Sequence, residues 1–425
     1  MSREMKDSGI LAIGAIPKEW KPIRIKYLLQ NGVIKSGPYG SALKEVASAD
    51  GEYPIYNQAN IINDDFSLRR NYISSKDYKN MKRYKIHSGD IVFSMMGTVG
   101  KCSIVPEGID EGIIDSHLFE ATLNCLINKD YFKYSYDKDL CVQVIEQFIE
   151  AMNGSIMSGL NGGLVKNAFI CLPSPTEQQQ IVHFLDRKCT AIDTAIEKTK
   201  KSIEKLEEYK KAVITKAVTK HEGWTECKLR FVANIVRGGS PRPIDAYITD
   251  GEGLNWVKIG DATGNGKYIN NTKQKITKDG LNKTRLVPAG TLLLTNSMSF
   301  GHPYVLNIEG CIHDGWLAFF DFEKVTQDYL YYFLESDVAM EQFSRSVEGS
   351  VVNNLNIDKV KSSYIAFPSI TEQNLIVERL DRLCIAINAV IEKKKKAIEK
   401  WEEYKKSLIY YAVTGKIDCR NEVIE

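Results

Sequence analysis

The hydrophobic pattern of the chain contains two long stretches that fit amphipathic helices. Residues 176–219 and 371–414 contain no proline or glycine, which leaves room for about 43 residues, or about 65 Å, of helix in each stretch. Apolar residues recur there near heptad spacing, and charged residues fill most of the other positions. We predict that the apolar seams are formed by Leu185, Ile192, Ile196, Ile203 and Leu206 in the first stretch, and by Leu380, Ile387, Ile391, Ile398 and Trp401 in the second.

The second stretch repeats the first. The segment 173–178, Pro-Ser-Pro-Thr-Glu-Gln, returns as Pro-Ser-Ile-Thr-Glu-Gln at 368–373, an offset of 195 residues. The match continues without a gap, and roughly 30 of about 47 positions are identical, which indicates an internal repeat. We predict that Thr176 and Thr371 cap the two helices at their N-termini.

A helix with one narrow apolar seam needs a partner. The matched length and seam of the two repeats favour pairing of the two helices with each other, in antiparallel orientation. The alternative is two separate helices, each packed on its own domain or on another subunit.

The regions outside the two helices predict two similar domains of mixed α/β structure. The predicted limits are 1–170 for the first domain, 171–221 for the first helix, 222–366 for the second domain, 367–416 for the second helix and 417–425 for a tail. Glycine-rich turns bound the candidate strands 90–95, 112–118, 290–295 and 316–322. The segments beginning Gly154-Ser155 and Gly349-Ser350 also match at the same offset. We therefore predict an α+β fold of two similar domains joined by an antiparallel coiled coil.

Composition narrows the function only slightly. The chain has 425 residues, a net charge of +2 and nine scattered cysteines. There is no overall charge to attract nucleic acid, so any such binding must come from local basic surfaces. Because the cysteines are odd in number and none forms a CxxC pair, we expect reduced thiols in a cytoplasmic protein. No membrane-spanning run or signal-peptide pattern is apparent.

Motifs for catalysis are missing from the sequence. No phosphate-binding loop, dinucleotide fingerprint, amino-methyltransferase tetrapeptide or nuclease core is present. Two His–Asp groupings, at 115–117 and 313–314, lack a nucleophile and an oxyanion turn, so polar residues at strand ends are the favoured interpretation. The acidic residues Glu107, Asp110, Glu111 and Asp115 resemble a metal site, but a solvated loop is favoured. We expect that the chain alone is not an enzyme and binds no metal or cofactor.

Loops with basic, amide and hydroxyl side chains are the better candidates for function, because such groups contact phosphates and base edges. Each domain has a glycine-containing loop of this kind near its start. The candidate DNA-contacting residues are Lys35, Ser36, Tyr39, Ser41, Lys44, Asn57, Gln58, Asn60, Lys82 and Arg83 in the first domain, and Arg237, Ser240, Arg242, Lys258, Asn265 and Lys267 in the second. For any single lysine, a solvated surface charge is the simpler explanation.

These features resemble the specificity subunit of Type I restriction–modification systems. The resemblance covers essentially the whole chain and rests on the Ile16-Pro17-x-x-Trp20 opening, the restart at Trp224, and the repeated helix starts with their long helices. Ile370 and Asn374 in the second helix start depart slightly from the first copy.

The resemblance implies two target-recognition domains, each reading one half of a split, asymmetric double-stranded DNA site. It also implies that the paired helices set the spacing and dock two methyltransferase (modification) subunits. S-adenosylmethionine, ATP and magnesium would be used by those subunits and by motor-nuclease (restriction) subunits.

Two alternatives remain open from the sequence. One is the recognition chain of a Type II-like system that cleaves on both sides of its site. The other is a coiled-coil scaffold that has no role on DNA.

Overall fold

The chain folds into two compact units. Unit 1 comprises residues 1–198 and 396–425, and unit 2 comprises residues 199–395. The computed structural model describes residues 3–96, 98–152, 159–262, 266–297, 301–347 and 355–422. The repeated glycine-serine pairs at 154–155 and 349–350 therefore lie outside the described residues.

Unit 1 contains eleven strands in the described part of the chain: β1 (Met5–Asp7), β2 (Ala15–Pro17), β3 (Lys21–Arg24), β4 (Lys35–Ser36), β5 (Tyr53–Tyr56), β6 (Tyr72–Ile73), β7 (Ile91–Ser94), β8 (Cys102–Ile104), β9 (Ile113–Ile114), β10 (Leu118–Ala121) and β11 (Phe169–Leu172). Its short helices are α1 (Gly40–Val46), α2 (Gln58–Asn63), α3 (Ser75–Asn80), α4 (Lys129–Tyr136), α5 (Gln143–Ala151) and α6 (Gly162–Asn167). The first long helix, α7 (Pro175–Val218), begins in this unit.

Unit 2 contains the remaining strands: β12 (Thr225–Lys228), β13 (Asn234–Arg237), β14 (Ile248–Thr249), β15 (Leu254–Val257), β16 (Tyr268–Ile269), β17 (Gln274–Ile276), β18 (Arg285–Val287), β19 (Thr291–Thr295), β20 (Pro303–Leu306), β21 (Gly310–Ile312), β22 (Trp316–Phe320) and β23 (Tyr364–Phe367). Its short helices are α8 (Gln327–Glu335), α9 (Asp337–Val347) and α10 (Ile357–Ser362). The second long helix, α11 (Ile370–Val413), begins here.

The two domains share their sheet topology. The antiparallel order β4-β10-β7-β8 in the first domain corresponds to β13-β22-β19-β20 in the second. A second sheet in each domain contains one parallel pair, β5 with β9 and β15 with β21. In both domains the last strand pairs antiparallel with a strand near the domain's start, β11 with β3 and β23 with β12. The prediction of two similar mixed α/β domains is confirmed.

One predicted strand is wrong. The segment 112–118 contains the short strand β9, then the turn at 115–117, then the first residue of β10. The Asp115 side chain accepts a hydrogen bond from the His117 backbone N–H at 2.8 Å. This bond closes the turn, a frequent role of aspartate that competes with strand formation.

The predicted helix caps are also wrong by two residues. The long helices begin at Pro175 and Ile370, and their caps are the preceding serines. Ser174 Oγ accepts from Glu177 N at 3.3 Å, and Ser369 Oγ accepts from Glu372 N at the same distance. Proline suits the first helical position because its missing N–H would have no intrahelical partner there.

The two long helices run antiparallel within each unit. In unit 1, Lys405 Nζ of α11 lies 2.6 Å from Asp193 Oδ2 of α7. Leu185 lies in the same core as Leu408, Ile409 and Ala412, so the chain directions oppose each other. In unit 2, Lys210 donates to Asn388 at 3.2 Å, while Leu380 shares a core with Ile214 and Val218.

The predicted seam faces inward along these helices. Five of its members are buried, namely Leu185, Ile196, Leu380, Ile387 and Ile391. The other five, Ile192, Ile203, Leu206, Ile398 and Trp401, are half-buried. A strip with this partial exposure is what a two-helix contact provides, because only one side of each helix is covered.

Each unit has its own main core. The core of unit 1 joins the central sheet of the first domain to helices α4 and α5 and to the ends of both long helices, with Trp20, Phe93, Phe132 and Tyr136 among the fully buried side chains. The core of unit 2 is built in the same way around Phe319, Tyr329 and Phe333. All nine cysteines are free thiols. Among the described residues, no helix has the length and apolar character needed to cross a membrane.

Candidate nucleic-acid interface

In both domains the early glycine-containing loop crosses a second loop at close range. Gly37 N donates to Leu118 O at 3.1 Å, and Gly238 N donates to Trp316 O at 3.0 Å. A Cβ atom on Gly37 would lie 1.8 Å from Asp115 O, and one on Gly238 would lie 2.2 Å from His313 O. Such distances exclude any side chain, so glycine is required at both crossings. The two loops that meet there form the candidate interface of each domain.

In the second domain, hydrogen bonds fix the early loop to Asp314. Arg237 Nε donates to Asp314 O at 2.8 Å, and Ser240 Oγ donates to the Asp314 carboxylate at 2.9 Å. Arg242 is exposed on the same loop. A loop anchored in this way presents its arginines from a defined backbone position, which sequence-specific contact with a base edge needs.

The positive charges of the second domain converge on His313. Burial lowers the pKa of His313, and Arg242, Lys258 and Arg237 lower it further, whereas Asp314 opposes them. Arg237 also binds the backbone carbonyl of Asp314, the neighbour of His313, at 2.8 Å. The crossing therefore has local positive charge, although the whole chain has a net charge of only +2.

Two basic residues of this surface were missed by sequence reasoning. Arg285 Nε donates to Arg237 O at 3.2 Å, which places the guanidinium beside the early loop. Lys283 Nζ donates to Tyr247 OH at 2.5 Å and lies 4.8 Å from the centre of that ring. Both side chains are exposed. Their positions in and just before the short strand β18 could have marked them as candidates. They are far in sequence from the early loop of the second domain, so sequence spacing did not connect them with it.

The other predicted DNA-contacting residues of the second domain lie outside the early loop, and two of them contact protein side chains. Lys258 Nζ donates to Gln274 at 2.6 Å. Lys267 forms an ion pair with Asp328 at 2.8 Å and lies 4.8 Å from the ring centre of Tyr331. The proposed DNA role of Lys267 is thus not supported, because its charge is already paired within the fold. Asn265 lies outside the described residues.

In the first domain the early loop is more exposed. Lys35 lies 3.1 Å from the buried carboxylate of Glu120. Ser36 is exposed, and the Tyr39 ring is 86% accessible to solvent. Ser41 and Lys44 are exposed on the short helix α1 that follows. These exposed side chains lie in the strand, loop and helix on either side of Gly37.

The amide residues of the first domain have structural roles. Asn57 caps α2, since its side chain accepts from Ala59 N at 2.9 Å. Asn60 is completely buried, and its amide donates to Asp65 O and Leu68 O. Gln58 donates to Met96 O at 2.7 Å. The prediction that Asn60 contacts a base is therefore not supported, since its donors and its acceptor are already used.

Lys82 and Arg83 lie on a short turn next to a tyrosine-rich patch. Both are exposed, and the Arg83 guanidinium lies 5.1 Å from the ring centre of Tyr84. Lys85 Nζ lies 4.0 Å from the ring centre of Tyr78. Cations held over aromatic rings provide positive charge in a fixed position, which suits contact with phosphates.

The acidic residues nearby are occupied by protein groups. Glu111 accepts from Tyr78 OH at 2.9 Å, and Asp110 forms an ion pair with Arg69. Among the described residues no cluster of His, Cys, Asp and Glu has the arrangement of a metal site.

Glu120 is a buried carboxyl group that lies next to Lys35. Burial raises its pKa to about 7, and the negative charge of Asp90 adds to the shift, whereas Lys35 opposes it. Near neutral pH the carboxyl group is thus only partly ionised. The Lys35 side chain is 44% accessible to solvent, so an anionic ligand can also reach it.

Comparison with known proteins identifies the family. The profile described as "Type I restriction modification DNA specificity domain" matches residues 17–208 and again residues 221–400. The chain belongs to this family. Its two matches correspond to the two domains and to most of the long helices, so the structural repeat is also a repeat of the family domain.

Full-length relatives bear similar names. The chain is 24% identical over 446 residues to the "Putative type I restriction enzyme MjaX specificity subunit" of Methanocaldococcus jannaschii, which covers 95% of each chain. It is also 24% identical over 439 residues to the "Type I restriction enzyme MjaVIII specificity subunit" of the same organism, covering 96% of this chain and 95% of the relative.

Solved structures confirm the fold. A chain from a study of complex assembly and conformational transition of the type I R-M system superposes with a TM-score of 0.72 at 16% identity, covering 95% of this chain and 99% of that one. The HsdS subunit from Thermoanaerobacter tengcongensis gives a TM-score of 0.50 at 16% identity, covering 95% and 98%.

Membership in this family gives the general function of the chain. The chain is a DNA-recognition subunit with two domains, and specificity subunits of Type I systems are non-catalytic. This membership explains the missing catalytic motifs and removes the scaffold alternative.

The raised pKa of Glu120 gives a prediction about stability. A carboxyl group that binds its proton more tightly in the folded state favours folding at low pH. That contribution is lost as the pH rises from the ordinary value of 4.5 through about 7. We expect Glu120→Gln to raise the free energy of unfolding at pH 8 by on the order of 1–3 kcal/mol, with little effect at pH 5.

Denaturant unfolding at both pH values measures this effect. Glu107→Gln, at an exposed acid of the same domain, serves as the control and should show no such difference. A Glu120→Gln protein less stable than the parent at pH 8 would contradict the prediction.

The second prediction concerns the early loop of the second domain. Arg237→Ala or Arg242→Ala should weaken DNA binding by about 1–3 kcal/mol and relax specificity at one position if the side chain reads a guanine. A phosphate contact would instead weaken binding to all sequences and lower the salt slope by about one. Titration of cognate and altered duplexes at several salt concentrations separates the two cases.

Arg230→Ala is the matched control for these variants, because Arg230 is exposed in the same domain but lies outside the loop. Unchanged affinity for both loop variants would remove the loop from the interface.

Proposed function

We propose that each domain of this DNA-recognition subunit reads one half of a bipartite, asymmetric site in double-stranded DNA. The observation that carries the proposal is the pair of loop crossings. Gly37 and Gly238 lie at equivalent places on equivalent sheets, yet the side chains around them differ. Counted from these glycines, Ser36 and Ser41 stand in the first domain where Arg237 and Arg242 stand in the second. Two domains with equivalent sheets but different loop side chains are suited to reading two different half-sites.

We further propose that two copies of one modification subunit dock on the long helices. Exposed positions of the repeats are identical, as at Glu204-Lys205 and Glu399-Lys400, and at Tyr209 and Tyr404, which are 54% and 56% accessible. Among the five pairs of seam positions, only Leu206 and Trp401 differ. Packing within the chain does not demand identical exposed residues, whereas a partner that binds twice requires the same surface twice.

This assignment gives the remaining partners and cofactors. The modification subunits would use S-adenosylmethionine to methylate adenine, and motor-nuclease subunits would use ATP and magnesium. The complex would act in the cytoplasm, where bacterial and archaeal DNA is found. A Type II-like complex that cleaves on both sides of its site remains the second candidate.

Exchange of a domain tests the assignment of half-sites. Residues 222–366 would be replaced by the equivalent domain of a relative, and the chain would be produced with its modification subunits. We expect one half of the methylated motif to change and the other half to stay, because each domain has its own core. Mapping of methylated adenines across the genome gives the result. A change in both halves, or in neither half of an active complex, would refute modular reading.

Lengthening of the helices tests whether they set the spacer. Four residues inserted after Lys201 and four after Lys396 add about one turn, or about 6 Å, to both helices. The seam rotates by only about 40°, so pairing should persist with some loss of stability. At about 3.4 Å per base pair, the gap between unchanged half-sites should grow by one or two pairs. A constant gap in an active complex would mean that something else fixes the spacing.

A further inference from the structure

At the start of each long helix, a buried glutamine binds the loop that leads into a domain helix. In unit 1, Gln178 of α7 is only 1% accessible. Its amide donates to Leu126 O at 3.0 Å and Pro173 O at 3.1 Å, and its carbonyl oxygen accepts from Asn128 N at 2.7 Å. Both amide hydrogens and the carbonyl oxygen are thus satisfied by backbone groups.

Unit 2 repeats this arrangement. Gln373 of α11 is completely buried. Its amide donates to Lys324 O at 2.8 Å and to Pro368 O at 3.0 Å, and its carbonyl oxygen accepts from Thr326 N at 2.9 Å. Asn128 and Thr326 are the N-caps of α4 and α8. Each glutamine therefore holds the residue at which a domain helix begins.

A second contact joins the same two helices farther along. Tyr134 OH of α4 donates to Asp186 of α7 at 2.7 Å. Tyr332 OH of α8 donates to Asp381 of α11 at 2.5 Å. Asp381 also lies 3.7 Å from Lys267 Nζ. The glutamine and the aspartate are two helical turns apart, which corresponds to about 12 Å along the axis.

The shared core already holds each long helix against its domain, but apolar packing is non-directional, so the two polar contacts fix the direction of the helix within it. We propose that these paired contacts, Gln178 with Tyr134–Asp186 and Gln373 with Tyr332–Asp381, are domain clamps that orient each recognition domain on its own long helix and thereby define the spacer length that the complex accepts. The four side chains of the clamps that we alter below are positioning residues. The proposal rests on the proposed function, in which each domain reads one half-site and the helices set the gap.

The physical reason lies in the geometry of DNA. One base pair of B-DNA advances about 3.4 Å and turns the groove by about 35°, since a turn takes 10–10.5 pairs. A domain that can pivot on its helix can follow a half-site displaced by one pair. A clamped domain cannot, so DNA with the wrong spacer loses one half of its contacts.

The clamps are reinforced unequally. In unit 1, Glu177 beside the glutamine accepts from Trp20 Nε1 at 2.8 Å and forms an ion pair with Arg3 at 2.6 Å. The Tyr131 hydroxyl of α4 also donates to Val413 O of α11 at 3.1 Å. In unit 2, the equivalent Glu372 is exposed. Unit 2 has its own further link, since Asp337 N of α9 donates to Thr215 Oγ1 of α7 at 3.0 Å. Next to the glutamine, however, it lacks the buried carboxylate of unit 1, so the orientation of the second domain depends more strongly on Gln373.

The test uses the full chain produced in cells together with its modification subunits, with methylated adenines mapped across the genome. The variants are Gln178→Met and Gln373→Met, which keep the side-chain volume but lose all three hydrogen bonds, and Tyr134→Phe and Tyr332→Phe, which lose one oxygen atom. The matched controls are Gln179→Met, at the exposed neighbour of Gln178, and Tyr27→Phe, at an exposed tyrosine.

We expect the half-site sequences to stay unchanged while sites with a spacer one base pair longer or shorter become methylated. The ratio of off-spacer to cognate methylation should rise by about tenfold for Gln373→Met, a change equivalent to about 1.4 kcal/mol. The rise should be smaller for Gln178→Met, greatest for Gln373→Met combined with Tyr332→Phe, and absent in both controls. A merely structural role would lower methylation at all sites without altering this ratio.

The outcomes separate the clamp from the function on which it rests. If the unaltered chain methylates no two-part motif with a fixed gap, the proposed function fails. If the unaltered chain has one fixed spacer and the folded double variant keeps it, the clamp proposal is overturned. Thermal unfolding of the purified complexes establishes folding, and Tyr332→Phe provides the mild variant should Gln373→Met fail to fold.

Discussion

A helix of 44 residues that carries one apolar seam gains most of its stability by burying that seam against another element. Here each unit buries the seam of one long helix against a segment of the other, in antiparallel orientation, and joins both to the core of a domain. The start of α7 and the end of α11 therefore belong to the same unit. This packing explains why the two helices are matched in length and why a domain lies beside each helix start.

The domains show how a constant frame can carry different surfaces. The sheets, the last strand and the helix that packs on the long helix correspond in both domains. Among the described residues, the differences lie in the second sheet, which has three strands in the first domain and five in the second, and in the loops around Gly37 and Gly238, where the backbone approach permits no side chain. A frame held by buried hydrogen bonds tolerates changes in loop side chains because those side chains contribute little to the core.

The charge distribution supports recognition by local surfaces. With a net charge of +2, the chain has no long-range attraction for DNA comparable to that of a strongly basic protein. The basic residues near His313 and the exposed Lys35 place positive charge where the loops cross. Other cations, such as Lys267, are used in ion pairs that hold the fold together. The cations at the loop crossings thus differ from the cations in structural ion pairs by their position in the fold, and their number matters less.

The repeat, the two long helices, their seam and the similarity of the two domains could all be predicted from the sequence. These features follow from periodicity and from the absence of proline and glycine, which act over short distances along the chain. The resemblance in the same residues also led to the family. Which residues face a ligand was decided by the tertiary structure. Asn60 has the chemistry of a base-reading residue, but it is buried and bound to backbone groups of its own loop.

Tertiary contacts also account for the other differences between the sequence predictions and the structure. Arg285 joins the interface only because β18 brings it beside Arg237, a neighbour far away in sequence. Ser174 caps the first long helix in place of Thr176 because the backbone enters the helix at Pro175. Hydrogen bonding and charge pairing depend on groups that folding brings together, so composition and spacing alone do not specify which side chains remain available to DNA.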